Sequence, residues 1–392
     1  MKKAIAALLF CSAAMSASAL LDGDGYYRVQ NAMTERYIYV LDDKGSLNFQ
    51  ATTAELGAIE LWKDYNKTIS DPATVIYVKD LNGKKQDYDL QTQGTGVYSI
   101  ISYPVSIRMA DKNLGTYSIF GRNSGLTRYI GDATRSTKDR GYVTSLENGE
   151  YYRWYFHPIT TDDTNYVGIT PEFEDGGDYY ATLYADFPFD FHSAGMTAYY
   201  VNTVADGKAF LTEVEGTVPR GTAVIVKCSA EEAVNNKLSI SSDVNAIKGN
   251  CLNGVYFCNN DLVHKNQTPY DKKTMRVLGK LSDGSIGFVT ADISYLPRNK
   301  AYLVVPENTP AEIRLTTETY SGINDIVAEN ASIRVNGQTL YISGVASAEI
   351  YNITGNRVGR VTDATNGATF TLPSAGLYLV KAGNTVVKIT TK

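Results

Sequence analysis

The chain is short of the residues that most chemistry needs. It has four cysteines, three histidines and two tryptophans among 392 residues. Cysteine this sparse excludes a disulfide-dense scaffold. His157, His192 and His264 stand alone, with no H-E-x-x-H and no C-x-x-C, so zinc has no local template and no metal or other cofactor is expected. There is no G-x-S-x-G, no glycine-rich phosphate loop and no D-x-[DN]-x-[DN]-G calcium loop. No apolar run reaches the roughly 20 residues a membrane-spanning helix needs. Basic residues, at 37, do not outnumber the 42 acidic ones, and the net charge of −5 argues against nucleic acid as a partner. Helical periodicity is also scarce. The best helix window is Ala230 to Asn235, with Ser229 placed as an N-cap.

What the chain does have is tyrosine, 29 of them, and short strand patterns throughout. YYRVQN, RYIYVLD, TVIYVKD, GVYSIIS, VSIRMA, AYYVNTV, TAVIVKC and KAYLVVP all read as strands, which makes the chain all-β. The roughly 370 residues that follow the first 19 are too many for one core, so two to four domains are expected.

The start of the chain, MKKAIAALLFCSAAMSASA, combines Lys2 and Lys3, an apolar run from Ala4 to Ala14, and an A-x-A pattern at Ala17 and Ala19. This is the pattern of a secretory signal peptide over residues 1–19, and it implies export. Cys11 follows Phe10 inside the apolar run, which does not suit lipid attachment. Export to an oxidising compartment leaves two options for Cys228, Cys251 and Cys258: one bridge with a thiol left over, or three buried thiols.

An internal repeat lies within residues 24–160. RYI occurs at Arg36 to Ile38 and again at Arg128 to Ile130, placing Tyr37 and Tyr129 92 positions apart, and Trp62 and Trp154 have the same offset. Ninety-two is twice 46, and GVYSI near Tyr98 is a candidate middle copy. Three β-rich units of about 45 residues are the plan of a β-trefoil. TERYIYVLDDKG (Thr34 to Gly45) and EYYRWYFHP (Glu150 to Pro158) resemble the repeats of ricin-type lectins. That resemblance implies sugar binding in the first and third copies, with Tyr39, Asp42, Asp43, Tyr129 and Asp132 as the ligand-binding candidates. The middle copy lacks a tryptophan and departs from the spacing.

A second repeat lies within 161–319. VPRGTAVIVK (Val218 to Lys227) and LPRNKAYLVVP (Leu296 to Pro306) share a proline turn followed by a buried strand, which suggests a β-sandwich. Arg220 and Arg298 are expected in exposed turns. YATLYADFPFDFHSAGM (Tyr180 to Met196) crowds Tyr184, Phe187, Phe189 and Phe191 beside Asp186 and Asp190, a second candidate for a saccharide site; the three phenylalanines alternate onto one strand face, and a core role is the favoured reading. The acidic EFEDGGD (Glu172 to Asp178) reads as a solvated turn. Cys258 and His264, six residues apart, are too weakly associated to suggest a thiol pair.

Residues 320–332 (YSGINDIVAENAS) read as a polar linker. Beyond it, 333–392 is a small all-β domain punctuated by Gly355, Gly367, Gly376 and Gly383. IYNITGNRV, LPSAGLYLVKAG and the basic end VVKITTK resemble the C-terminal sorting domain of the Por (type IX) secretion system. The resemblance implies the secretion machinery as a partner and an outer-surface or secreted destination.

The sequence therefore yields an exported, all-β, multidomain protein without a catalytic signature. Glycan recognition by the trefoil is the leading expectation. An adhesin or scaffold binding a surface protein is the second. A secreted hydrolase with the trefoil as targeting module is the third, since carboxylates at glycosidase spacing cannot be paired from sequence.

Overall fold

A computed structural model describes residues 24–40, 53–62, 65–84, 87–93, 105–123, 126–132, 140–144, 150–162, 164–260, 265–318, 326–328, 331–382 and 385–391. These are almost wholly β. The chain divides into two compact units, Met1–Glu318 and Thr319–Lys392.

The N-terminal part of the first unit has ten strands: β1 (Gly25–Asn31), β2 (Tyr37–Val40), β3 (Thr53–Trp62), β4 (Ile76–Asp80), β5 (Tyr88–Thr92), β6 (Ser106–Asp111), β7 (Thr116–Asn123), β8 (Leu126–Gly131), β9 (Arg140–Thr144) and β10 (Trp154–Pro158). Antiparallel pairing runs β1–β4, β4–β5, β6–β7, β7–β10 and β10–β1. The Tyr88–Val105 bridge joins β5 to the start of β6 and closes a six-strand ring. The hairpins β2–β3 and β8–β9 fold away from the ring and pair with each other through β3 and β9. A closed barrel of six strands with paired hairpins is the β-trefoil plan. Residues 94–104, which include the GVYSI of 96–100, lie outside the described residues.

Alternation along each barrel strand sends two side chains inward. These are Tyr27 and Val29, Ile76 and Val78, Tyr88 and Leu90, Val105 and Ile107, Tyr117 and Ile119, and Trp154 and Phe156. Ile38, Val40 and Ile130 from the hairpins cap them. The Trp154 indole N–H donates to the Ile130 carbonyl at 2.9 Å and fastens barrel to cap. The barrel repeats as Tyr-x-aliphatic at the start of β1, β5 and β7: Tyr27 to Val29, Tyr88 to Leu90 and Tyr117 to Ile119. The three tyrosines lie close enough to perturb one another, and burial pushes the Tyr88 hydroxyl up to about 12.

This placing qualifies the 92-residue repeat. Tyr37 and Tyr129 do occupy equivalent hairpin strands, each facing a barrel strand, at Gln30–Tyr37 and Phe120–Tyr129. The tryptophans are not equivalent. Trp62 ends a hairpin strand opposite Tyr37, whereas Trp154 opens a barrel strand opposite Tyr117.

The rest of the first unit holds a three-stranded and a ten-stranded sheet, plus the two-stranded pair Asn259–Asn260 and Lys265–Asn266. The large sheet folds over on itself. Val201, Ala209 and Ile225 from one half meet Leu252, Phe288, Leu303 and Ile313 from the other. Val224, Val226 and Cys228 point the opposite way, where Phe189 and Leu238 of the small sheet cover them. The first three residues of the strand Val224–Cys228, Val224–Val226, are thus buried on both faces, which is why AVIV reads as an unbroken apolar run before the half-exposed Lys227. Phe187 and Phe189 are fully buried and Phe191 packs against the same core. The acidic EFEDGGD segment is a hairpin turning on Gly176 and Gly177, with Asp175 opposite Asp178.

Trefoil and sandwich share side chains. Val75 belongs to the sandwich core, and Phe257 to the barrel core. The first unit is therefore a single body. The expected helix near Ala230 shrinks to a 3-10 turn, Ala233–Asn235. Ser229 does not cap it; its hydroxyl donates to the Asn235 carbonyl instead. The α-helix among the described residues is Tyr65–Ile69, which periodicity did not suggest because a single turn has none.

The second unit is two four-stranded sheets. One joins Ile326–Ala328, Ala331–Asn336, Thr339–Ser343 and Ala368–Thr371; the other joins Arg357–Ala364, Val345–Asn352, Gly376–Ala382 and Thr385–Thr391. Ile333, Ile342, Ile350 and Val380 are fully buried between them. Strand pairing thus already begins at Ile326, within the stretch that reads as linker.

Candidate functional site

Two places in the first unit gather polar and aromatic groups. The first is the outer face of the barrel where β1, β2 and β10 meet. Since Tyr27, Val29, Trp154 and Phe156 point inward, Gln30, Tyr155 and His157 point outward. Gln30 lies opposite Tyr155 on one side and Tyr37 on the other. The His157 ring sits 5.8 Å from the Tyr155 ring and 6.2 Å from the Tyr37 ring. His157 Nε2 lies 2.8 Å from Gln30 Oε1, and Gln30 Nε2 donates to the Glu35 carbonyl. All four side chains are partly exposed. Burial, with the nearby Arg28 charge, lowers the His157 pKa below its ordinary value, so the imidazole is neutral at pH 7. Arg28, on the same face, is buried and bonds Thr74, Asn165 and the Ile69 carbonyl. It closes one side of the patch with Asn165, whose amide donates to the His157 and Pro158 carbonyls. The result is a neutral shelf of two phenol rings around an imidazole–amide pair.

The second place is a cleft of about 420 Å³ between trefoil and sandwich. Its lining includes Asp71, Ile169, Leu183, Cys258, Arg298 and Lys300. Arg298 is not in an exposed turn, as the sequence suggests. Its guanidinium lies 4.4 Å above the Tyr39 ring, and Nη2 donates to Asp71 Oδ2 at 2.7 Å. Burial raises Asp71 to about 6 and lowers Arg298 to about 10, so both remain charged at pH 7. Arg220, in the matching turn, also points inward, 3.2 Å from Asp243 and 4.0 Å from Asp186. In both turns the residue after arginine adopts the left-handed conformation, Gly221 at φ 60° and Asn299 at φ 53°, which glycine and asparagine tolerate best. Gln93 of the trefoil then joins the Asn299 turn to Asp186, the carboxylate that Arg220 faces. Its Oε1 accepts from the Asp186 N–H at 3.3 Å and from Asn299 Nδ2 at 3.1 Å. Lys300 is paired with Glu172 at 2.9 Å. Of these ion pairs, Arg298–Asp71 is the one that joins the trefoil to the sandwich.

The sequence candidates fall as follows. Tyr39 is fully buried beneath Arg298. Asp132 is fully buried too; it accepts Arg36 Nε at 2.9 Å, Arg36 Nη2 and the Thr34 hydroxyl. Both are internal contacts of the fold in this structure. Tyr129 is partly exposed, its ring tilted against Phe120 at 5.4 Å and Tyr152 at 6.4 Å. Asp42 and Asp43 lie outside the described residues, as does His264. Sequence reasoning did not single out Gln30, Tyr155 and His157. The signal was there in YYRVQN and WYFHP as the outward half of two alternating strands. Among the described residues Cys228, Cys251 and Cys258 are unbridged, and burial raises each thiol, Cys228 to about 12.

No family model matches the chain, and no curated protein does either. Among the described residues no group of three or more His, Cys, Asp or Glu could hold a metal ion, and no helix is long and apolar enough to cross a membrane.

Proposed function

We propose that this chain is an exported, non-catalytic binding protein of the cell surface, and that it recognises glycans through the outer face of its trefoil. The observation that carries the reading is the shelf of Tyr37 and Tyr155 around the His157–Gln30 pair. Phenol rings meet the C–H faces of a sugar, while a neutral imidazole and an amide exchange hydrogen bonds with its hydroxyls. With no formal charge on these four side chains, the ligand is an uncharged saccharide. Export rests on the signal-peptide pattern of residues 1–19, and the sorting-type C-terminal domain would engage the secretion machinery.

The test is a glycan array with the mature chain, followed by titration of the best ligand against Tyr155→Ala and Tyr37→Ala. Each should weaken binding about tenfold with an unchanged melting temperature. A blank array from folded protein sinks the reading. Binding that both variants retain would also sink it.

A further inference from the structure

The cleft between trefoil and sandwich has the size and lining of a small-molecule site. At about 420 Å³ it is large enough for a small organic ligand. Much of its wall is apolar: Pro72 comes from the trefoil, and Val167, Ile169, Leu183 and Leu238 come from the sandwich. The charged groups of the lining already have partners within the chain. Asp71 holds Arg298 at 2.7 Å, and Lys300 holds Glu172 at 2.9 Å. A charged ligand would have to displace one of these pairs, so the cleft favours a neutral one.

The hydrogen bonding of the lining is not closed in the same way. Asn299 lines the cleft and is 4% exposed. Its side-chain amide donates to Gln93 Oε1 at 3.1 Å and to the Tyr184 carbonyl at 2.9 Å. Its Oδ1 accepts no hydrogen bond among the described residues. A buried acceptor without a donor is uncommon and costs stability, which a ligand that supplies the donor recovers. We propose that this cleft binds a compact, uncharged, largely apolar molecule with one N–H or O–H donor, the chemistry of an indole or a phenol, and that the donor is met by Asn299 Oδ1. The site is separate from the tyrosine shelf and does not depend on glycan binding there.

The mature chain is titrated with indole and with benzofuran, followed by ligand-observed NMR. The two molecules have nearly the same shape, and benzofuran carries an oxygen where indole carries its N–H. Indole should bind about tenfold more tightly. Asn299→Gly keeps a residue that tolerates the left-handed backbone at φ 53° and removes the acceptor, so it should erase the preference for indole. Thr170→Trp adds a bulky ring at an exposed position of the lining, and should abolish binding of both molecules with the melting temperature unchanged. Because that substitution leaves the Asn299 bonds intact, it tests the site even where Asn299→Gly fails to fold. Tyr155→Ala should bind both molecules as the native chain does. Bound indole should also slow modification of Cys258, which is partly exposed in the lining, by methyl methanethiosulfonate; Cys251, partly exposed outside it, should react at an unchanged rate. The proposal is overturned if the native chain binds neither molecule or binds the two equally. It is equally overturned if Thr170→Trp binds as the native chain does, if folded Asn299→Gly retains the preference for indole, or if indole leaves Cys258 unprotected.

Discussion

Replacing Arg298 with Met tests how trefoil and sandwich are held together. Met keeps an unbranched stem over the Tyr39 ring and removes the charge that faces Asp71 at 2.7 Å. Removing one partner of a buried ion pair costs about 3–5 kcal/mol. Here the two side chains keep 26% and 17% of their exposure, which brings the figure down to about 2–3 kcal/mol, with a cation–π contribution of about 1 kcal/mol inside it. The loss should depend on pH. Asp71 already sits at about 6 in the folded chain, above the ordinary aspartate value of 3.8. A carboxyl whose folded pKa is raised binds more protons folded than unfolded, so its contribution to stability falls as pH rises between the two values. Without Arg298 the folded pKa rises further, and the fall extends past pH 6 towards neutrality. Each extra unit adds about 1.4 kcal/mol above that range. Near pH 4 Asp71 is protonated in the folded state and the variant loses little more than the cation–π contact. Urea unfolding of Arg298→Met and the native chain, followed by tryptophan fluorescence at pH 4.5 and 8, measures this. Trp154 is fully buried in the barrel and reports on it. A variant equally destabilised at both pH values would refute the electrostatic account. A loss below about 0.5 kcal/mol at pH 8 would show that Arg298 is not a fastening at all.

Trp154→Phe removes the indole bond to the Ile130 carbonyl and leaves a void beneath the hairpin cap. It should cost about 2–3 kcal/mol in urea unfolding. Cys228, with its thiol pushed to about 12, should resist iodoacetamide at pH 8 in the folded chain and react fully in urea, as read by mass spectrometry. Glycan binding by the trefoil should be flat from pH 7 to 8.5, because the His157 pKa lies below its ordinary value. It should weaken as pH falls through that lowered value, since imidazolium no longer accepts a hydrogen bond from a sugar hydroxyl; a binding curve that weakens above pH 7 would contradict the neutral shelf.

The all-β class was legible because alternation is local. Each barrel strand can be recognised on its own, and YYRVQN and VSIRMA form β1 and β6 where they were expected. The trefoil's symmetry was only half legible. Equal spacing is a property of sequence, whereas the threefold relation is one of pairing. Tyr27, Tyr88 and Tyr117 open equivalent strands at unequal intervals, since the helix Tyr65–Ile69 and its neighbours lengthen the first lobe. A search for a constant period therefore finds the coincidence of Trp62 with Trp154 and passes over the Tyr-x-aliphatic repeat. The joint between trefoil and sandwich was not legible either. Arg298 meets Asp71 across 227 positions, and Asn299 meets Gln93 across 206. Proline–arginine turns look solvated until a partner from a distant segment closes over them.

The same reasoning decides how a sugar site on the trefoil should be sought. Asp132 is an attractive target from sequence, and Asp132→Asn would weaken any binding that depends on a folded trefoil wherever it unfolds part of the population. That loss would carry no information about contact. Asp132 is wholly buried and receives the Arg36 guanidinium in bidentate fashion together with the Thr34 hydroxyl, tying the segment before β2 to the end of β8. Converting it to an amide leaves Arg36 facing a neutral group that cannot accept on both atoms. The cost should be about 2–4 kcal/mol, with part of the Arg36 side chain remaining open to water. Tyr155→Ala removes a partly exposed ring and no internal polar bond that holds the barrel closed, so its stability cost should stay within about 0.5 kcal/mol. The two variants therefore separate fold from contact. Asp132→Asn should lower the urea midpoint markedly and retain ligand affinity at 10 °C wherever it is still folded. Tyr155→Ala should keep its midpoint and lose affinity. The opposite pattern, with affinity lost in folded Asp132→Asn and kept in Tyr155→Ala, would place the ligand at the hairpin end of the trefoil and remove the role assigned to the tyrosine shelf.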